Sequence, residues 1–200
     1  MGKGRLEAFS DGVFAIIITI TVLTITTPDG YSLSDLKEMV PLVLVYGVSF
    51  IMIGTNWTNH HYLLNMTSHI NGKVIWANHI YLFTLSFFPV TTEWVGKTGF
   101  QSIPTIVYVV VNLAESTAFI VLDRIIISSC ICKNLDLGKL KKAFKEGATI
   151  FLELMALLIA FSEHFRILSY MLLISMALMW VIPDFRMKKV YEIQCKKNKD

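Results

Sequence analysis

The chain has 200 residues, 54% of them hydrophobic and only 16% charged. A soluble domain normally carries about a quarter charged residues, so this composition excludes an ordinary water-soluble enzyme or binding module. The net charge is +3. Its basic residues are clustered, and clusters beside apolar spans report membrane orientation before nucleic-acid binding.

A helix needs about 20 apolar residues to cross the hydrocarbon core, so six crossings use about 120 residues and leave only short loops. The expected fold is therefore an all-α integral membrane protein, with residues 1–200 forming a single six-span transmembrane domain. Span one is predicted over Leu6–Thr26, stopped by the turn signal Thr27-Pro28-Asp29-Gly30. Its apolar run follows Asp11 and lacks a small-residue cleavage site, so it reads as a span rather than a signal peptide. A polar loop is expected as far as Glu38, then span two over Met39–Met66. Span three is expected over Val74–Thr92 with Pro89 near its end, and span four over Ile103–Ser128. After the basic segment Cys130–Glu146 come two shorter spans, Gly147–Ser162 and Ile167–Ile182, the last ended by Pro183-Asp184.

Lys and Arg set the orientation. With the N-terminus inside, 15 of them fall on the cytoplasmic side, and only Lys37, Lys97 and Arg166 fall outside. That bias supports an even number of spans with both termini cytoplasmic. Cys130, Cys132 and Cys195 then lie on the cytoplasmic side, where thiols stay reduced. A lone C-x-C is a weak metal signal.

Polar groups at membrane depth are costly and call for partners or a wet path. Asp11 lies about 8 Å above Leu6 at 1.5 Å per helical residue. Span two carries Asn56, Trp57, Asn59, His60 and His61 toward the same face, and span three carries Trp76, Asn78 and His79 up from it. These groups can meet Ser10 and Asp11 in the cytoplasmic third of the membrane, either as a hub that fixes span one or as ordinary interhelical packing. Adjacent histidines point to different sides of a helix, and no nearby carboxylate or cysteine completes a site at His60-His61. No metal and no cofactor are expected.

Span one also carries Ile16, Thr19, Ile20, Leu23 and Thr27 on one stripe at 100° per residue, with Gly12 extending it downward. Asp11 is about 140° away from Ile16 and cannot share that stripe. Branched apolar residues in a membrane helix face lipid, a neighbouring helix or a pore, and the pattern alone leaves all three open. Around a pore, they would form a constriction that gates by dewetting, with Thr19 hydroxyls beside it as a possible selectivity element.

Arg5-x-x-x-Phe9-Ser10-Asp11, followed by Gly12-Val13-Phe14-Ala15-Ile16, resembles the signature that opens the first span of the transmembrane protein 175 family. Trp57 with His60-His61, Trp76-x-Asn78 and Phe87-Phe88-Pro89 extend the resemblance over Arg5–Pro89. That family comprises potassium-permeable channels of prokaryotic membranes and animal lysosomes, built from six-helix repeats. A single repeat implies a homotetramer in the lipid bilayer of a prokaryotic plasma membrane, with four copies of span one around the pore. The resemblance places the narrowest ring five residues after the motif Asp, at Ile16, with Ile20 and Leu23 as further layers. It assigns Arg5, Ser10 and Asp11 to packing against spans two and three, not to the pore.

The reading is a passive channel for potassium and other monovalent cations, with no nucleic-acid partner and no enzymatic activity. No T-V-G-Y-G filter is present, so selectivity should be modest. Outer acids Asp29, Asp35, Glu38, Glu93 and Glu163 would favour cations at the mouth. The alternative is a secondary transporter subunit, disfavoured because the prolines sit at span ends rather than at a midplane break. An intramembrane enzyme using His60, His61 or Glu153 ranks last, since neither G-x-S nor H-E-x-x-H occurs.

Overall fold

The computed structural model describes residues 2–67, 70–129, 144–162 and 164–181. Those residues contain eight helices and no strand: α1 (Lys3–Leu23), α2 (Leu33–Glu38), α3 (Val40–Asn65), α4 (Gly72–Leu85), α5 (Phe88–Thr98), α6 (Ser102–Ser129), α7 (Phe144–Ala160) and α8 (Arg166–Val181). The three cysteines, Glu163, the Pro183-Asp184 stop and most of the basic segment lie outside the described residues.

Four helical runs are long and apolar enough to cross a membrane: Lys3–Leu23, Leu33–Asn65, Gly72–Thr98 and Ser102–Ser128. Two shorter helices, α7 with 17 residues and α8 with 16, pack against each other. Each is about 24–26 Å long at 1.5 Å per residue, slightly short of a hydrocarbon core of about 30 Å. The outward surface is rich in large apolar side chains such as Phe83, Val90, Leu158, Ile167 and Leu178. Buried between the helices are Ser49, Asn59, His60, Asn78, Asn112, Glu115 and Glu153. Apolar outside and polar inside is the arrangement a bilayer imposes.

Two expectations are corrected here. The polar loop before Glu38 contains a short helix, α2, started by a capping box: Ser32 Oγ accepts from the Asp35 N–H, and the Asp35 carboxylate accepts from the Ser32 N–H at 2.8 Å. The third span does not end near Pro89. Its helical run continues to Thr98 and is broken into α4 and α5 near its middle. Proline has no N–H and its ring clashes with the carbonyl four residues back, here that of Leu85. The chain therefore tightens, with Phe87 N–H donating to the Thr84 carbonyl at 3.3 Å, and restarts with Pro89 in the first turn of α5. At its far end Gly99 takes the left-handed conformation, φ 59°, that terminates α5.

Helix α1 lies in a trough made by α3, α4 and α5. The trough itself is tight. Gly96 of α5 packs on Leu42 of α3 so closely that a Cβ there would sit 2.8 Å from the Leu42 Cα. Just below, Ser49 Oγ of α3 is 2.7 Å from Thr92 Oγ1 of α5 and 2.9 Å from Tyr108 Oη of α6, which ties three helices with neutral hydroxyls.

Candidate functional site: the two faces of the first helix

One face of α1 is packed. Leu6, Ser10, Phe14, Ile17 and Thr21 are buried, spaced three or four residues apart as one helical stripe requires. Ser10 sits at the centre of a polar chain. Its Oγ donates to the Leu6 carbonyl at 2.9 Å and accepts from Asn78 Nδ2 at 3.0 Å. Asn78 Oδ1 is 2.7 Å from His60 Nε2. A carboxamide oxygen only accepts, so Nε2 carries the proton of that bond. Ser10, Asn78 and His60 are all fully enclosed, and together they join α1, α4 and α3 without a formal charge.

Aromatic rings close over this chain. His60 stacks on Tyr81 at 5.6 Å, and Phe14 packs against both rings, 5.5 Å from His60 and 6.2 Å from Tyr81. Tyr81 and Phe14 belong to the site and were not singled out from sequence. Phe14 stands inside the motif, but a lone apolar ring there gives no chemical signal.

A second set of contacts lies at the flank. The Trp57 indole N–H donates to Asp11 Oδ1 at 2.8 Å, and Trp57 stacks on His61 at 6.0 Å. His61 Nε2 is 3.0 Å from Asn65 Nδ2, and Lys3 Nζ donates to Asn65 Oδ1 at 3.2 Å. Phe9 and Trp76 bracket His79, at 5.5 and 5.9 Å, while His79 Nδ1 is 2.6 Å from the Ile75 carbonyl oxygen. His60 and His61 thus serve different networks, one buried and one exposed. No group of three His, Cys, Asp or Glu side chains gathers as a metal site among the described residues. Arg5 is exposed in the protomer and takes part in none of these contacts.

The opposite face of α1 is open. Gly12, Ile16, Thr19, Ile20 and Leu23 are all exposed, Ile16 at 58% and Leu23 at 78%. A Cβ at Gly12 would meet nothing within 4 Å. Thr19 donates its hydroxyl to the helix itself, at 3.0 Å from the Ala15 carbonyl oxygen and 2.9 Å from that of Ile16. The donor is spent, so the oxygen's remaining capacity is for accepting a hydrogen bond or touching a cation. This face offers branched hydrocarbon interrupted by one hydroxyl oxygen, and it is largely uncovered among the described residues.

These features define a multi-pass helical membrane protein whose first helix is packed on one side and exposed on the other among the described residues. A family model described as the endosomal/lysosomal potassium channel TMEM175 matches residues 5–89. A protein of Chryseobacterium sp. (strain P1-3) named as a potassium channel is 40% identical over 193 residues, covering 94% of this chain and 97% of the relative. The Gallus gallus endosomal/lysosomal proton channel TMEM175 is 41% identical over 75 residues, 32% of this chain and 15% of that protein. A crystal structure of a lysosomal potassium-selective channel TMEM175 homolog from Chamaesiphon minutus superposes with a TM-score of 0.76 at 26% identity, covering 90% of this chain and 96% of that one. The chain belongs to the TMEM175 family.

Proposed function

We propose that this chain is the subunit of a passive potassium-permeable channel in which four copies surround a pore lined by α1. The observation that carries the reading is the uncovered stripe of Ile16, Thr19, Ile20 and Leu23 on a helix whose other face is fixed by α3, α4 and α5. Packed around an axis, Ile16 would make the narrowest ring, with Ile20 and Leu23 stacked above it. An aliphatic ring narrower than a hydrated ion raises a dehydration barrier, and that barrier is the gate. The near-complete match to the Chryseobacterium potassium channel and the fold shared with the Chamaesiphon channel support the same conclusion. The six crossings of this reading are α1, α3, the broken α4–α5 run, α6, α7 and α8, with both termini cytoplasmic.

One observation favours the second reading, a carrier. Carriers break helices near the midplane, and the α4–α5 break at Pro89 falls inside a crossing rather than at its end. The earlier objection from proline placement therefore fails at this one position. Liposomes loaded with a potassium gradient separate the two. A channel gives uncoupled flux that does not saturate with potassium and collapses the gradient without a co-ion. Saturable flux that stops when a co-substrate is withheld would establish the carrier instead.

A further inference from the structure

Away from α1, the helices α3, α6, α7 and α8 line a partly open chamber of about 30 Å³. That is room for one water-sized occupant. Its polar wall is made by Asn56, Asn59, Glu115, Ser116, Thr149 and Trp180. Glu115 is 2% exposed, and Glu153, one helical turn along α7 from Thr149, is fully enclosed. Glu153 stands behind the wall rather than on it: its Oε1 accepts from the hydroxyl of Ser116, a lining residue, at 2.7 Å.

Some of the donors around this chamber are already committed. Asn59 Nδ2 donates to the Thr55 carbonyl at 2.8 Å and to the Trp180 carbonyl at 3.1 Å. The Trp180 indole N–H donates to Thr149 Oγ1 at 2.7 Å. Acceptors are left over. Asn59 Oδ1 and Glu153 Oε2 are buried and find no hydrogen-bond partner among the described residues. Glu115 lies near Asn56 of α3 and Tyr81 of α4, neither of which carries a positive charge, and the Tyr81 hydroxyl has no hydrogen-bond partner within reach among the described residues. No Lys, Arg or His lines the chamber; Lys145 of α7 lies against the Trp180 ring, 5.7 Å from its centroid, with its ammonium donating to the Met179 carbonyl, and none of the ion pairs among the described residues includes either glutamate.

Two carboxyl groups and a carboxamide oxygen therefore lie close together in a low-dielectric interior, with neutral donors such as the Asn56 amide and the Tyr81 hydroxyl beside them but no positive charge on the chamber wall. Ionised carboxylates are not retained in such a place without a counter-charge. The oxygen donors suit a hard cation, and two carboxyls without a third acid suit a single charge better than a divalent ion.

We propose that the chamber is a monovalent-cation site, separate from the open face of α1, in which Glu115, Glu153 and the Asn59 carboxamide oxygen hold the occupant. The shared chemistry is one positive charge among oxygens, supplied by a proton on the carboxyl pair or by an alkali ion. The site also touches α1. Tyr81, which faces Glu115, stacks on His60 and packs against Phe14 of α1 at 6.2 Å, so the occupant lies two ring contacts from the packed face of that helix.

The test is difference infrared spectroscopy of carboxyl bands on the full chain in liposomes. No flux is read, so the result stands or falls apart from the channel reading. One arm replaces potassium by N-methylglucamine at fixed pH, and the other changes pH at fixed potassium. The expected result is a carboxyl band that responds in one arm and is lost in both Glu115→Gln and Glu153→Gln. Response to pH alone assigns a proton, and response to potassium at fixed pH assigns an alkali ion. Wild-type protein made with isotope-labelled glutamate must shift the same band, which ties it to glutamate even where a variant fails to fold. A responding band that survives both substitutions, or that does not shift with the label, overturns the proposal. So does a wild-type spectrum unchanged in both arms.

Discussion

Ile16 and Ile17 are neighbours in sequence, identical in chemistry and opposite in setting. Ile17 is 3% exposed and belongs to the main core cluster with Phe14, Met52 and Leu85, whereas Ile16 is 58% exposed among the described residues. Both faces of α1 are apolar, so hydrophobicity does not tell them apart. What separates them is the polar content of each. The packed face carries Ser10, whose hydroxyl is bonded on both sides within the protein. The open face carries Thr19, whose hydroxyl is turned back on its own helix. A membrane helix is oriented less by its apolar residues, which lipid accepts anywhere, than by the few polar groups that lipid rejects.

The comparison breaks most easily at Ile17. Ile17→Ala should cost about 2–5 kcal/mol, because it leaves a cavity against packed neighbours. Thermal unfolding of purified protein measures that cost, while conductance per folded channel should stay near wild type. A stable Ile17→Ala protein with altered conductance would mean that the two faces have been interchanged.

Asn78→Ala comes next. It strands the His60 Nε2–H inside the bundle, at a cost of about 1–3 kcal/mol. A double-mutant cycle with Ser10→Ala should show coupling between the two, since both hydroxyl and imidazole meet the same carboxamide. Additive effects would say that the chain Ser10–Asn78–His60 does not act as a unit.

Trp57→Phe removes one indole N–H from Asp11 and should cost about 0.5–1.5 kcal/mol. Because Asp11 is exposed beside it, water or another donor can replace the bond, so the loss belongs at the low end. The smallest effect is expected at Thr19→Val, which keeps shape and deletes the oxygen. Potassium-over-sodium preference should fall by less than tenfold, or under about 1.4 kcal/mol. An unchanged preference in reversal-potential measurements would confine Thr19 to a helix-internal role.

Much of α1 was readable beforehand because its signals are local. Ser10, Asp11 and the 16–20–23 spacing lie within four turns of one helix, and helical geometry alone puts Asp11 off the stripe. The meeting of Ser10 with Asn78 and His60 was also within reach, since three polar clusters at one depth have little choice of partners. The run past Thr92 was missed because Glu93 and Lys97 look like a loop. They are one turn apart on α5 and pair at 2.5 Å, so each carries the other's charge at the helix end. Glu115 went unnoticed altogether. It is a single acid in an apolar run, and its significance appears only when α6 and α7 bring Glu153, 38 positions further along the chain, beside Ser116.

The central claim is that the open face of α1 lines the ion path at Ile16, and the most direct measurement is potassium and sodium flux through reconstituted Ile16→Asn protein. A polar side chain at the narrowest ring should hold water where isoleucine excludes it. Flux should rise above wild type and the preference for potassium over sodium should weaken. Flux and preference both equal to wild type, at equal incorporation of folded protein, would contradict the claim and return Ile16 to lipid or to a subunit contact.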